Sequence, residues 1–158
     1  MSEEIFGAVQ KLPVNGTKKQ VVLQCAPLLT GIKLSNLLNV RADQKEEVFR
    51  IFEGSPVCCR VLYEFQGRLS ILLYRPGMLA AYLEREDVKK MMTSFGYENP
   101  DLEETLNRIA DAYQDHMNGK RGFPHEIVLV LGYPPVDVEG FIEKEGRDFL
   151  YSGYWKVY

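Results

Sequence analysis

Residues 57–74 read VCCRVLYEFQGRLSILLY, and this stretch decides the fold class. Val57, Cys59, Val61, Tyr63 and Phe65 alternate with Cys58, Arg60, Leu62 and Glu64, the period of a strand with one buried face. Arg68 to Tyr74 is a second strand-like run, so the pair predicts an antiparallel hairpin turning near Gln66-Gly67. A three-residue loop, Phe65-Gln66-Gly67, sets Glu64 opposite Arg68. It also puts Tyr63/Leu69, Val61/Ile71 and Cys59/Leu73 on one apolar face, with Cys58 on the other. A two-residue loop would set Tyr63 against Ser70 instead.

Helical signals flank the hairpin on both sides. Thr17 and Gln20 have the spacing of a capping box, and the helix they open runs through Val21, Val22 and Cys25. Pro27 is expected to kink or restart it, and Gly31 to end it. An extended piece covers Asn36 to Arg41. Asp43 then caps a helix with Val48, Phe49, Ile51 and Phe52 on its apolar face, stopped by Gly54-Ser55-Pro56.

Beyond the hairpin, Gly77 to Leu83 and Asp87 to Phe95 read as helices, the second closed by Gly96. Asn99-Pro100-Asp101 opens a longer helix whose stripe is Leu102, Leu106, Ile109, Tyr113 and Met117. Ile127 to Leu131 has strand propensity, but Pro124 and Glu126 ahead of it favour a short buried helix. Pro134-Pro135 restarts the chain into a helix through Val138, Phe141 and Ile142, ended by Gly146. The terminal aromatic segment, with Tyr151, Tyr154, Trp155 and Tyr158, looks like a strand. The expected architecture is α+β: one domain over residues 1–158, with a small antiparallel sheet centred on the hairpin and packed by several helices.

The charge balance sets limits on partners. Nineteen Lys+Arg against 22 Asp+Glu give a formal net charge of −3, without the basic stripe a nucleic-acid binder carries. The N-terminus carries Glu3 and Glu4 where a signal peptide would carry Lys or Arg, and no apolar run approaches a membrane span. Three cysteines, two of them adjacent, read as free thiols in a reducing cytoplasm. Neither nucleic acid nor membrane is expected as a partner.

Three segments are distinctive: Gln24-Cys25-Ala26-Pro27 with Gly31-Ile32-Lys33, Phe123-Pro124-His125-Glu126-Ile127 with Leu131-Gly132-Tyr133-Pro134, and Gly153-Tyr154-Trp155-Lys156-Val157-Tyr158. On these the chain, from about Lys18 onward, resembles an uncharacterised bacterial family known only as a domain of unknown function. The resemblance implies a soluble bacterial protein and carries over no activity.

Cys25 and His125 form the one nucleophile–base pairing the sequence offers. A thiol just ahead of a turn restarted by Pro27 would gain acidity, yet Glu126 is badly placed to orient its neighbour His125. The opposing reading is a buried structural cysteine and a core or capping histidine. No CxxC or HxxxH spacing supports a metal, and neither GxGxxG nor GxxxxGK supports a phosphate loop, so no cofactor is expected. Arg75 before Pro76-Gly77 could hold an anion. Asp137 and Glu139, near Tyr133, could line a cleft as an acid/base pair, against a plainer role as first-turn acids of the helix after Pro135, and Tyr154 and Trp155 could stack a ligand ring. The leading functional expectation is a non-catalytic module that binds a small molecule or a protein partner. A thiol-dependent hydrolase or transferase using Cys25 and His125 is the alternative.

Overall fold

The computed structural model describes residues 16–145, 147, 151–152 and 156–157. The fold is α+β, with seven helices and a three-stranded antiparallel sheet among the described residues. Its contacts divide the chain into two compact units, Met1–Leu79 and Ala80–Tyr158. No helix of the described residues is long and apolar enough to cross a membrane.

The first unit is built on the hairpin. Strands β1 (Ser35–Arg41), β2 (Cys58–Phe65) and β3 (Arg68–Tyr74) lie in the order β1-β3-β2, every pair antiparallel. The hairpin forms as expected, but its turn corrects the expected register. Gln66 (φ 49°) and Gly67 (φ 75°) are both left-handed, the signature of a two-residue type I′ turn. Phe65 therefore pairs with Arg68, Glu64 with Leu69 and Tyr63 with Ser70. The ladder then slips at a bulge between Val61 and Tyr63, after which Val61/Ile71 and Cys59/Leu73 pair as the sequence predicts. One inserted residue, Leu62, reverses the facing of everything beyond it. The expected pairs Tyr63/Leu69 and Glu64/Arg68 are replaced, and Tyr63 leaves the Ile71 face together with Phe65, their rings 6.1 Å apart.

Helices α1 (Thr17–Leu29) and α2 (Lys45–Phe52) complete this unit. Val21, Cys25 and Leu28 of α1 and Val48 and Phe52 of α2 share one core with Leu38, Val40, Leu69, Ile71 and Leu73. Phe49, expected on the apolar face of α2, is exposed. Pro27 sits inside the last turn of α1 without breaking it. The end comes at Gly31 (φ 79°), where Gly31 N donates to Leu28 O and Ile32 N to Pro27 O, the Schellman pattern.

Thr17 and Gln20 do not cap α1, whose N-cap is Gly16. Gln44 draws them away: its Nε2 donates to Thr17 Oγ1 at 3.1 Å and to Gln20 Oε1 at 3.4 Å, while Gln20 Nε2 donates to Asn39 O. Asp43 is likewise not a cap. It pairs with Arg41 at 3.0 Å inside a 3₁₀ turn, Ala42–Gln44, that precedes α2.

Helix α3 (Pro76–Leu83) contains the division between the units. The second unit continues with α4 (Glu86–Ser94), α5 (Leu102–Met117), α6 (Glu126–Val130), α7 (Pro135–Glu143) and a short antiparallel pair, Tyr151–Ser152 with Lys156–Val157. Helix α5 packs on α6, and α7 packs on both α6 and α4. The cap of α5 is Asp101, whose Oδ1 accepts Glu104 N at 2.7 Å, and not Asn99. Asn99 takes the left-handed conformation (φ 49°) that its short side chain tolerates, which turns the chain ahead of Pro100. The segment from Ile127 is helical, and every residue of α6 is buried. Pro124 lies one residue ahead of the N-cap His125, not at the first helical position as the sequence suggests, and Glu126 heads the helix as its first-turn acid.

Leu106 and Ile109 are fully buried on α5, whereas Tyr113 is only half-buried and Met117 is 46% exposed. The buried stripe turns through Thr105 and Ala112 instead. Leu106→Ala should accordingly cost about 2–5 kcal/mol by chemical denaturation. Met117→Ala should stay within about 0.5 kcal/mol. Equal losses would mean that the stripe has been placed on the wrong face.

Candidate functional site

In the second unit Gly96 (φ 91°) closes α4, with Tyr97 N donating back to Met92 O at 3.0 Å. That turn carries Tyr97 under the start of α5, where it is 4% exposed. Its ring helps line a cleft of about 100 Å³ with Ala80, Leu83, Met92, Leu102 and Thr105, while Glu84, Lys89, Asn99 and Asp101 supply polar groups. An apolar lining with a few converging polar groups is what makes a cleft a candidate binding site.

Behind the ring lies a buried carboxylate. Tyr97 donates its hydroxyl to Glu126 Oε1 at 3.1 Å, and Arg121 Nη2 stands 3.7 Å from the same oxygen. Glu126 is 3% exposed on α6, so this hydrogen bond and charge offset the cost of enclosing it. Burial, reinforced by the negative charge of Glu126, pushes the Tyr97 hydroxyl well above its ordinary value. The hydroxyl stays protonated and acts as a donor. Arg108 stacks on the ring at 4.1 Å and donates to Gly96 O at 2.8 Å, which fixes the ring plane. The sequence marks Glu126 as a helix-start acid and a poor orienter of His125, and it does not single out Tyr97. The available signal was an acid heading an apolar run.

The residues singled out by sequence have other surroundings. Cys25 belongs to the first unit, is 0% exposed, and accepts from Asn36 Nδ2 at 3.4 Å. Burial raises its thiol, an effect only partly opposed by Asn36 and Lys33. His125 belongs to the second unit, half-buried between Phe123 and Phe141, ring centroids 5.5 and 6.0 Å away. Arg75 donates from Nε to Leu28 O and from Nη2 to Leu29 O, a cation on the carbonyl end of α1. Tyr133, half-buried, accepts the Tyr82 hydroxyl at its backbone carbonyl, 2.9 Å. Asp137 is buried in the first turn of α7 and Glu139 is exposed. Tyr154 and Trp155 lie outside the described residues. Among the described residues no three His, Cys, Asp or Glu side chains cluster as metal ligands would.

Burial holds the His125 imidazole below its ordinary 6.5, against the opposing pull of Glu126. As pH falls through 6.5 the unfolded chain takes up a proton that the folded chain resists, so stability falls with pH. His125→Gln should flatten this part of the pH–stability profile between about pH 7 and 5. An unchanged slope in the variant would assign the loss to other groups.

No curated protein and no solved structure matches the chain. Over residues 21–158, which include the Tyr97 cleft, Cys25 and His125, the chain matches DUF3793, proteins of unknown function, and it belongs to that family.

Proposed function

We propose that this chain is a non-catalytic module that binds a small ligand, with the Tyr97 cleft as the binding site. The observation that carries the reading is the cleft itself, whose aromatic wall is locked by Glu126 on one side and by Arg108 on the ring. A wall fixed in advance loses little freedom when a ligand arrives. At about 100 Å³ the cleft is well below the roughly 300–1,000 Å³ of pockets for drug-sized molecules, which favours a ligand of few atoms.

The thiol-enzyme alternative through Cys25 and His125 finds less support. An activated cysteine needs exposure and a lowered pKa, and Cys25 has neither. The net charge of −3 argues for a partner other than nucleic acid. Three free cysteines and the likeness of the FPHEI and LGYP segments to a bacterial family support a place in the bacterial cytoplasm.

The chain has five methionines, and Met92 lines the cleft while Met117 is exposed on α5. With methionine methyls labelled for NMR, a panel of small cationic, anionic and neutral molecules should include members that shift Met92 and leave Met117 in place. A panel that never moves Met92 would sink the reading. In parallel, iodoacetamide at pH 7 should label Cys58 ahead of Cys25. Rapid labelling of Cys25 near pH 6, lost in His125→Ala, would restore the enzyme alternative.

A further inference from the structure

We propose that Asn118-Gly119, at the end of α5, is a self-modifying site: Asn118 deamidates slowly to isoaspartate, and the change opens the turn between α5 and α6. The reaction needs the backbone nitrogen of the next residue to reach the side-chain amide carbon. Leu37, Val40 and Arg108 follow Asn36, Asn39 and Asn107, and each carries a side chain beside that nitrogen. Asn99 precedes Pro100, whose nitrogen has no proton to lose. Glycine leaves the nitrogen unshielded. Asn15-Gly16 is the same dipeptide, with Asn15 outside the described residues. In the first step Gly119 N attacks Asn118 Cγ. The N–Cγ bond forms, the Cγ–Nδ2 bond breaks, and Nδ2 leaves as ammonia with the proton from Gly119 N. Water then opens the cyclic imide. Breaking the bond to Cγ gives aspartate, whereas breaking the bond to the main-chain carbonyl carbon carries the chain on through Cγ as isoaspartate.

The fold sets when this happens. Asn118 is the C-cap of α5 with φ −85° and ψ 4°, so Gly119 N nearly eclipses the backbone nitrogen of Asn118 and lies away from its side chain. Gly119 N also donates to His116 O at 3.0 Å, and Lys120 N to Asp115 O at 2.8 Å. Ring closure waits until ψ turns and the bond to His116 O breaks. Helix ends open at little cost, and here every residue from Met117 to Phe123 is exposed. Fraying of this end is therefore the gate. The product does not close again. Isoaspartate adds Cβ to the main chain between Met117 and Gly119, so the bonds to His116 O and Asp115 O lose their spacing. It also leaves a carboxylate at the carbonyl end of the helix, against the macrodipole. The opened turn carries Lys120 and Arg121, and Arg121 is a partner of the buried Glu126.

The test incubates the full chain at mildly alkaline pH and follows it by peptide mass mapping. Isoaspartate is separated from aspartate by elution, and residue 118 is read apart from residue 15. The same chain unfolded in urea supplies the ungated rate. The folded chain should convert residue 118 about five- to thirtyfold more slowly, the factor for opening a weakly held helix end. Asn118→Gln, whose longer side chain closes a ring far less readily, should stay unconverted. Aged protein rich in isoaspartate should then be cut by trypsin after Lys120 and Arg121 severalfold faster than fresh protein. Asn118→Asp, which has the charge on an ordinary backbone, should be cut close to the fresh rate. Equal conversion in the folded and unfolded chains would overturn the gate at the helix end. A folded chain that never converts at residue 118 while the unfolded chain does would overturn the site. Unchanged cutting of the aged protein, or equally fast cutting of Asn118→Asp, would overturn the opening by the isoaspartate backbone.

Discussion

The first unit depends on one constraint: β3 is the central strand, and every residue from Leu69 to Tyr74 is buried. Its Leu69, Ile71 and Leu73 form the floor on which α1 and α2 lie, and its backbone supplies hydrogen bonds to β1 on one side and β2 on the other. A central strand cannot slip without exposing a whole apolar set, so its two neighbours must adapt to it. The adaptation is visible in β2. The tight Gln66-Gly67 turn is locked where Gly67 O accepts Ala42 N at 2.7 Å, and the Leu62 bulge takes up the residue that the turn leaves over. Beside it, Ser70 Oγ donates to Asn39 Oδ1 at 2.6 Å across the β1–β3 pair.

Polar side chains in this unit mostly secure helix ends to the sheet. Arg75, just after β3, closes the carbonyl end of α1, and Gln44, just after β1, gathers Thr17 and Gln20 at its other end. Gln44 Oε1 also accepts Arg41 N at 3.0 Å, so one buried amide satisfies the strand end and the helix start together. Such a network leaves little polar capacity for chemistry. Cys25 lies inside this scaffold with an amide neighbour, and burial outweighs the pull of Lys33 on its thiol.

The second unit concentrates its unusual features around Tyr97. A carboxylate 97% removed from solvent in an otherwise apolar helix is costly unless its partners are fixed, and the Tyr97 hydroxyl and Arg121 are those partners. The same tyrosine lines the cleft. One side chain thus holds the buried carboxylate and borders the cleft. This explains how a cleft of modest size acquires a rigid aromatic wall.

By itself the sequence determined the features whose cause is local. The period of two in residues 57–74 produced the hairpin, the period of 3.6 picked out Leu106 and Ile109, and Gly31 and Gly96 ended their helices where a left-handed residue was required. The segment from Ile127 is helical as expected, headed by Glu126 in its first turn, with Pro124 ahead of the N-cap. Only the tertiary structure decided the rest, because each such feature pairs residues far apart in the chain. The Leu62 bulge answers to the register of β3. Thr17 left its capping role for an amide 27 residues away, and Tyr97 met Glu126 across 29. Local patterns report which face of an element is apolar. Which polar group is waiting on the far side of that face is set by packing, and the candidate site was therefore not legible before the fold was known.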